Sequence, residues 1–116
     1  MAEHNETGKR GEALAVEYFS GKGYRILHRN WRRGHLELDL IATRKGILHF
    51  IEVKTKTANF GGFPEEEVTA KKFKYLTEAA EAYLYQFPQW QRIQFDILAI
   101  TLRPQLSFFL LEDVYI

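Results

Sequence analysis

Cysteine is absent from this chain of 116 residues. That excludes a disulfide scaffold, a thiolate metal site and a cysteine nucleophile together. It accords with a reducing compartment, although a cysteine-free chain suits any. Long apolar runs are lacking too. None exceeds four residues, as at Ile97–Ile100 and Phe108–Leu111, against the ~20 needed to cross a bilayer. Met1 to Arg10 is polar and without the apolar stretch of a secretory leader. A cytoplasmic location and no membrane association are therefore expected, and Asn5-Glu6-Thr7 reads as a chance glycosylation pattern. Glycine-rich nucleotide loops and a Gly-x-Ser-x-Gly elbow are missing. His4, His28, His35 and His49 repeat at no zinc-ligand spacing.

What is present supports one core. Hydrophobic residues are 46% and aromatics 15%, too many for general disorder, and the length suits a single domain over 1–116. The net charge of +1 hides an asymmetry. Residues 1–35 carry 7 basic and 4 acidic side chains, whereas residues 75–116 carry 2 and 5. Lys22, Arg25, Arg29, Arg32 and Arg33 form a stretch with no acid in it. Such a local basic surface can meet a polyanion, or it can be an ordinary solvated face.

Periodicity predicts the elements. Thr7 to Ser20 reads as a helix with Leu14, Ala15, Tyr18 and Phe19 on one stripe, ended by Gly21-Lys22-Gly23. Tyr24 to Asn30 is a strand candidate. Leu36 to Leu40 alternates leucine with carboxylate, which predicts a strand with leucines on one face. Ile47 to about Lys56 is a third strand, and Arg44-Lys45-Gly46-Ile47 a tight hairpin between the two. Asn59 to Pro64 is a breaker cluster. Thr69 is the expected N-cap of a second helix running to about Tyr85, with Phe73, Leu76, Ala80 and Tyr83 buried. Strands at Ile93–Leu102 and Leu106–Leu111 follow. The order α-β-β-β-α-β-β implies an α/β fold on a mixed sheet.

The hairpin places the chemistry. If Lys45-Gly46 is a two-residue turn, Arg44 pairs with Ile47 and each later pair sums to the same number. Asp39 then faces Glu52, Glu37 faces Lys54, and all four share one sheet face. Opposed carboxylates repel unless something offsets them, and a hard divalent cation would, since Mg²⁺ is commonly held by one or two carboxylates plus phosphates. A lysine two residues from one carboxylate could reach a phosphate oxygen. These are the needs of metal-assisted phosphodiester hydrolysis. A surface Glu–Lys ladder would show the same pattern. Glu12 sits early in the first helix, where a carboxylate also complements the helix dipole. Asp96 interrupts an apolar strand and needs a partner, a backbone amide or an arginine if it is structural. Trp31 could stack on a base or pack under a loop.

The chain also resembles a known family. Thr7-Gly8, Gly11-Glu12-x-x-Ala15-x-x-Tyr18-Phe19 and Gly23-Tyr24-x-Ile26-Leu27-x-x-Asn30 resemble the opening of the YraN family of bacterial proteins. Glu37 to Ala42, Phe50-Ile51-Glu52-Val53-Lys54, Phe60-Gly61, Lys72 and Phe95-Asp96 continue the match to about Ile100. That family looks like the restriction-endonuclease-like, PD-(D/E)xK fold and is similar to archaeal Holliday-junction resolvases. The resemblance implies an endonuclease using Mg²⁺ or Mn²⁺ on nucleic acid, DNA and branched DNA in particular, and a homodimer. It implies Asp39 and Glu52 as metal ligands with the Val53 carbonyl as a third, Lys54 as the catalytic lysine and Glu12 as a helix-borne acid. Arg29, Arg32, Arg33, Lys56 and Lys72 are the expected nucleic-acid contacts, with Lys71 and Lys74 beside them. The family usually has glycine, arginine and arginine where Leu36, Lys56 and Gln94 stand here, and neither Lys nor Gln offers the bidentate fork of Arg. A binding module of the same fold without catalysis, and a protein-interaction domain, are the alternatives.

Overall fold

The computed structural model describes residues 2–58 and 70–114, with side chains from Glu6 onward. Its elements are α1 (Ala2–Gly21), β1 (Arg25–Arg33), β2 (Leu36–Arg44), β3 (Ile47–Ala58), α2 (Ala70–Gln86), β4 (Ile93–Arg103) and β5 (Ser107–Leu111). This is the expected order α-β-β-β-α-β-β. The Asn59–Pro64 cluster and the Thr69 cap lie outside the described residues, as does the His4 side chain. Among the described residues no helix is long and apolar enough to cross a membrane.

The strands form one sheet in the order β1-β2-β3-β4-β5. All neighbours are antiparallel except β3 and β4, which run parallel. A parallel pair needs a crossover, and α2 belongs to it. The two helices cover opposite faces. Ala15 and Phe19 of α1 pack on Leu40, Ala42, Ile51, Leu98 and Ile100. Ala79, Ala80 and Tyr83 of α2 pack on Leu38, Ile41, Leu48 and Phe50. Consecutive residues such as Phe50 and Ile51 thus serve opposite cores, as the two-residue period of a strand requires.

Helix α1 starts earlier than the periodicity suggests and ends as expected. The Tyr24 and Gly23 amides donate to the Phe19 and Ser20 carbonyls at 3.0 and 3.2 Å. This Schellman pattern needs a left-handed residue, supplied by Gly23 at φ +86°. Gly11 sits on the buried line of Ala15 and Phe19, where a Cβ would overlap the Thr55 side chain. The absence of a side chain is what lets α1 approach β3 this closely.

The β2–β3 hairpin turns at Lys45 and Gly46, both at positive φ, as a tight two-residue hairpin loop allows. Pairing follows the expected register from Arg44↔Ile47 to Leu40↔Ile51 and ends there. Asp39 and Glu52 are therefore not ladder partners, which corrects the expectation, and neither are Glu37 and Lys54. The single leucine face also fails: Leu36 and Leu38 pack with the α2-side core, Leu40 with the α1-side core. The reason is a distortion shared with β1. Asn30 lies between the pairs Arg29↔Leu40 and Trp31↔Leu38 and has φ +50°. Extended alternation cannot continue through such a residue.

Candidate functional site

The end of the β2–β3 ladder opens a seam in the sheet, and Asp39 stands in it. Its Oδ2 accepts a hydrogen bond from the Val53 backbone amide at 3.0 Å, so a side chain replaces the missing strand pairing. The carboxylate borders a cavity on each face. On the α2 side about 200 Å³ is lined by Glu37, Glu52, Lys72, Tyr75 and Phe95, among others. On the α1 side about 260 Å³ is lined by Thr7, Gly8, Glu12, Val53 and Thr55. Burial raises the Asp39 pKa to about 6, with the charges of Glu52, Glu37 and Glu12 adding to it and the Val53 amide opposing.

Glu52 projects to the α2 side, since it shares the parity of Phe50 on β3. Its Oε1 is paired with Lys72 from α2 and lies 3.5 Å from Lys54 Nζ. Its Oε2 is buried and makes no hydrogen bond among the described residues. A buried charged oxygen left without a partner is costly and calls for an explanation. Burial lowers the pKa of Lys72, and the neighbouring Lys54 pushes the same way, while Glu52 opposes both. Lys72 stands on the first turn of α2 while the buried residues Ala79, Ala80 and Tyr83 anchor its second half. The first half leans on the sheet less, and this leaves the α2-side cavity.

The remaining expected residues divide between the two faces. Glu12 reaches the seam from α1, and its Oε2 accepts from Asn30 Nδ2 at 2.8 Å. Glu37 is met by Arg32 Nη2 at 3.5 Å, with both side chains exposed. Lys56 follows Lys54 on the same face of β3. Arg29 and Arg33 are exposed on β1 at the edge of the sheet. Trp31 packs its ring edge-on to Tyr83 at 5.4 Å, so it belongs to the core. Asp96 proves fully partnered. Its Oδ2 lies 2.7 Å from His49 Nδ1, and its Oδ1 accepts from Gln94 Nε2 and the Asp113 amide at 2.9 Å each.

Two participants have roles that the sequence does not announce. Asn30 holds Glu12 and distorts β1 with its positive φ. An asparagine in the middle of a strand, where its type is depleted, is the signal that points to it. Lys72, expected to contact nucleic acid, is also paired with Glu52. Among the described residues no three His, Asp or Glu side chains form a ready-made metal cage. The donors at the seam nonetheless suit a hard cation: carboxylate oxygens, one of them unpartnered among the described residues.

Residues 11–100 match the uncharacterised protein family UPF0102. The chain belongs to this family. Within UPF0102, it is similar to a protein of Bacteroides thetaiotaomicron, with 46% identity over 100 residues covering 86% of this chain and 83% of that one. A UPF0102 protein of Cytophaga hutchinsonii is 47% identical over 100 residues, covering 85% and 88%. One from Porphyromonas gingivalis is 36% identical over 102 residues, covering 88% and 76%. The family resemblance carried by the motifs is thereby borne out, and Glu12, Asp39, Glu52, Lys54 and Lys72 all fall inside the UPF0102 match.

Proposed function

We propose that the protein is a divalent-cation-dependent nuclease that hydrolyses phosphodiester bonds of nucleic acid, with DNA and its branched forms as the leading substrates. The observation that carries this reading is the seam itself. Asp39 brings a carboxylate with a raised pKa, and Glu52 one with a buried oxygen unpartnered among the described residues and with Lys54 3.5 Å from its other oxygen. A fold maximising stability would pair or remove them. Asp39 and Glu52 would hold Mg²⁺ or Mn²⁺, with the Val53 carbonyl as the proposed third donor. When bound, the ion supplies Lewis acidity and neutralises phosphate charge.

The chain's own groups do the rest. Lys54 orients the attacking water and stabilises charge on the phosphate oxygens. Glu12, steadied by Asn30, faces the same seam from α1 and adds negative charge that favours cation binding. The exposed arginines Arg29, Arg32 and Arg33 and the half-buried Lys56 give the phosphate backbone its contacts. The restriction-endonuclease-like architecture and a homodimer suited to a two-fold substrate belong to the same reading.

Cleavage tests it. Single-stranded, duplex and branched DNA and RNA are incubated with Mg²⁺, Mn²⁺ or EDTA. Metal-dependent products that disappear in Lys54→Ala support the proposal, and no cleavage of any substrate contradicts it. A nucleic-acid-binding domain without hydrolysis is the second reading, favoured by the Lys72 ammonium on Glu52. It expects salt-sensitive binding with no products.

A further inference from the structure

Charge in the α2-side cavity is unbalanced. Glu37, Asp39 and Glu52 all line it, and Lys72 is its one lining cation among the described residues, although Glu37 is also met by Arg32. Asp96 also lines it, but both its oxygens are already bonded. The Lys72 ammonium is paired with Glu52 Oε1, with side-chain exposures of 26% and 11%. Lys54 stands further off, at 3.5 Å from the same oxygen. An ammonium is a compact single charge. Placed on Oε1 it leaves Oε2 unpartnered among the described residues. Asp39 is held by the Val53 amide.

A divalent cation shared by Asp39 and Glu52 would serve what the lysine leaves unserved. A doubly charged ion on that carboxylate would repel the nearby ammonium, and the ammonium, on its flexible stem, is the group that can move. We infer that Lys72 is a resident counter-ion of Glu52 that the divalent cation displaces. This rests on the metal-site reading above. Metal and lysine then compete for one carboxylate, and what the ion pair contributes to the metal-free protein is what the cation must overcome. The released ammonium stays tethered at the cavity, where it becomes available to an anionic ligand.

Mn²⁺ alone is the probe. Melting temperature is followed over a Mn²⁺ titration for the wild type, Lys72→Met and Lys72→Gln, with Asp39→Asn as the variant lacking the site. Removing the competitor should lower the metal-free melting temperature, because Glu52 loses its nearer partner and keeps the more distant Lys54. It should also lower the half-saturating Mn²⁺ concentration about 5- to 10-fold, within the usual range for coupling between two sites. At saturating Mn²⁺ the variants and the wild type should converge, since the ion pair is then broken in all of them. If the wild type responds to Mn²⁺ through Asp39 but the Lys72 variants keep a constant deficit and an unchanged midpoint, Lys72 is a fixed structural partner. The inference then fails while the metal site stands. If the wild type shows no response through Asp39, both fail together. Having both variants separates charge removal from a packing defect, because Met keeps the apolar stem and Gln a polar end.

Discussion

Two carboxylates one step apart on neighbouring strands have opposite fates. Ile51 pairs with Asp96 and Glu52 with Ile97 in the same parallel ladder. Asp96 is 1% exposed, yet His49, Gln94 and the Asp113 amide satisfy it, so a buried charge is turned into a strut that ties the chain after β5 back to β4. Glu52 is less buried but keeps an oxygen without a partner among the described residues, and Asp39 beside it resists ionisation. Burial therefore does not mark the functional acid. On the proposed reading incomplete satisfaction does, because a group reserved for a ligand cannot be fully bonded by the protein.

The largest effect is expected on the satisfied side. Asp96→Ala should lower stability by about 3–5 kcal/mol, the usual cost of breaking a buried pair, as read by urea unfolding. Its Mn²⁺-dependent thermal shift should persist. A drop in metal response larger than the drop in stability would mean that Asp96 is not merely structural.

Lys54→Ala acts on the other side. Cleavage should fall ~10²–10³-fold, as when one preorganised electrostatic group is removed, while the Mn²⁺-dependent thermal shift remains. Equal cleavage by the variant would overturn the role assigned to Lys54.

Asp39→Asn should stabilise the metal-free protein, the reverse of Asp96→Ala. With its folded pKa near 6, above the ~3.9 of an unfolded aspartate, Asp39 holds its proton more tightly when folded. Stability then falls as pH rises from about 4 through about 6 and does not recover above. Asparagine cannot ionise and still accepts from the Val53 amide. Its advantage should be about 2–3 kcal/mol at pH 7 and vanish near pH 4, given 1.36 kcal/mol per pKa unit. A flat difference across this range would show that Asp39 is not strained by its charge.

The smallest effect concerns the basic edge. Arg32→Glu with Arg33→Glu should reduce the slope of log affinity against log salt by about 2, near 0.9 for each phosphate no longer neutralised. An unchanged slope would move the nucleic-acid interface away from β1.

Local patterns explain why much of this is legible in the sequence. The Lys45-Gly46 turn and strand alternation place Ile47 to Lys56 correctly, and with them Glu52 and Lys54. The helical stripe of Ala15 and Phe19 is a local signal as well. The seam is not legible, because it arises where β1 distorts at Asn30 and β2 loses its partner, a property of three strands together. Counting residues back from a turn assumes that the ladder continues, and it stops at Leu40↔Ile51. The Lys72–Glu52 pair is not legible either, because nothing local to Lys71-Lys72-Phe73 reveals which lysine faces Glu52. That is decided by how α2 docks through Ala79, Ala80 and Tyr83.

Calorimetric titration of Mn²⁺ into the metal-free protein tests the central claim most directly. Saturable binding in the wild type that disappears in both Asp39→Asn and Glu52→Gln, yet persists in Lys54→Ala, is the expected result. The absence of saturable binding at millimolar Mn²⁺, or binding that survives both carboxylate substitutions, would contradict it.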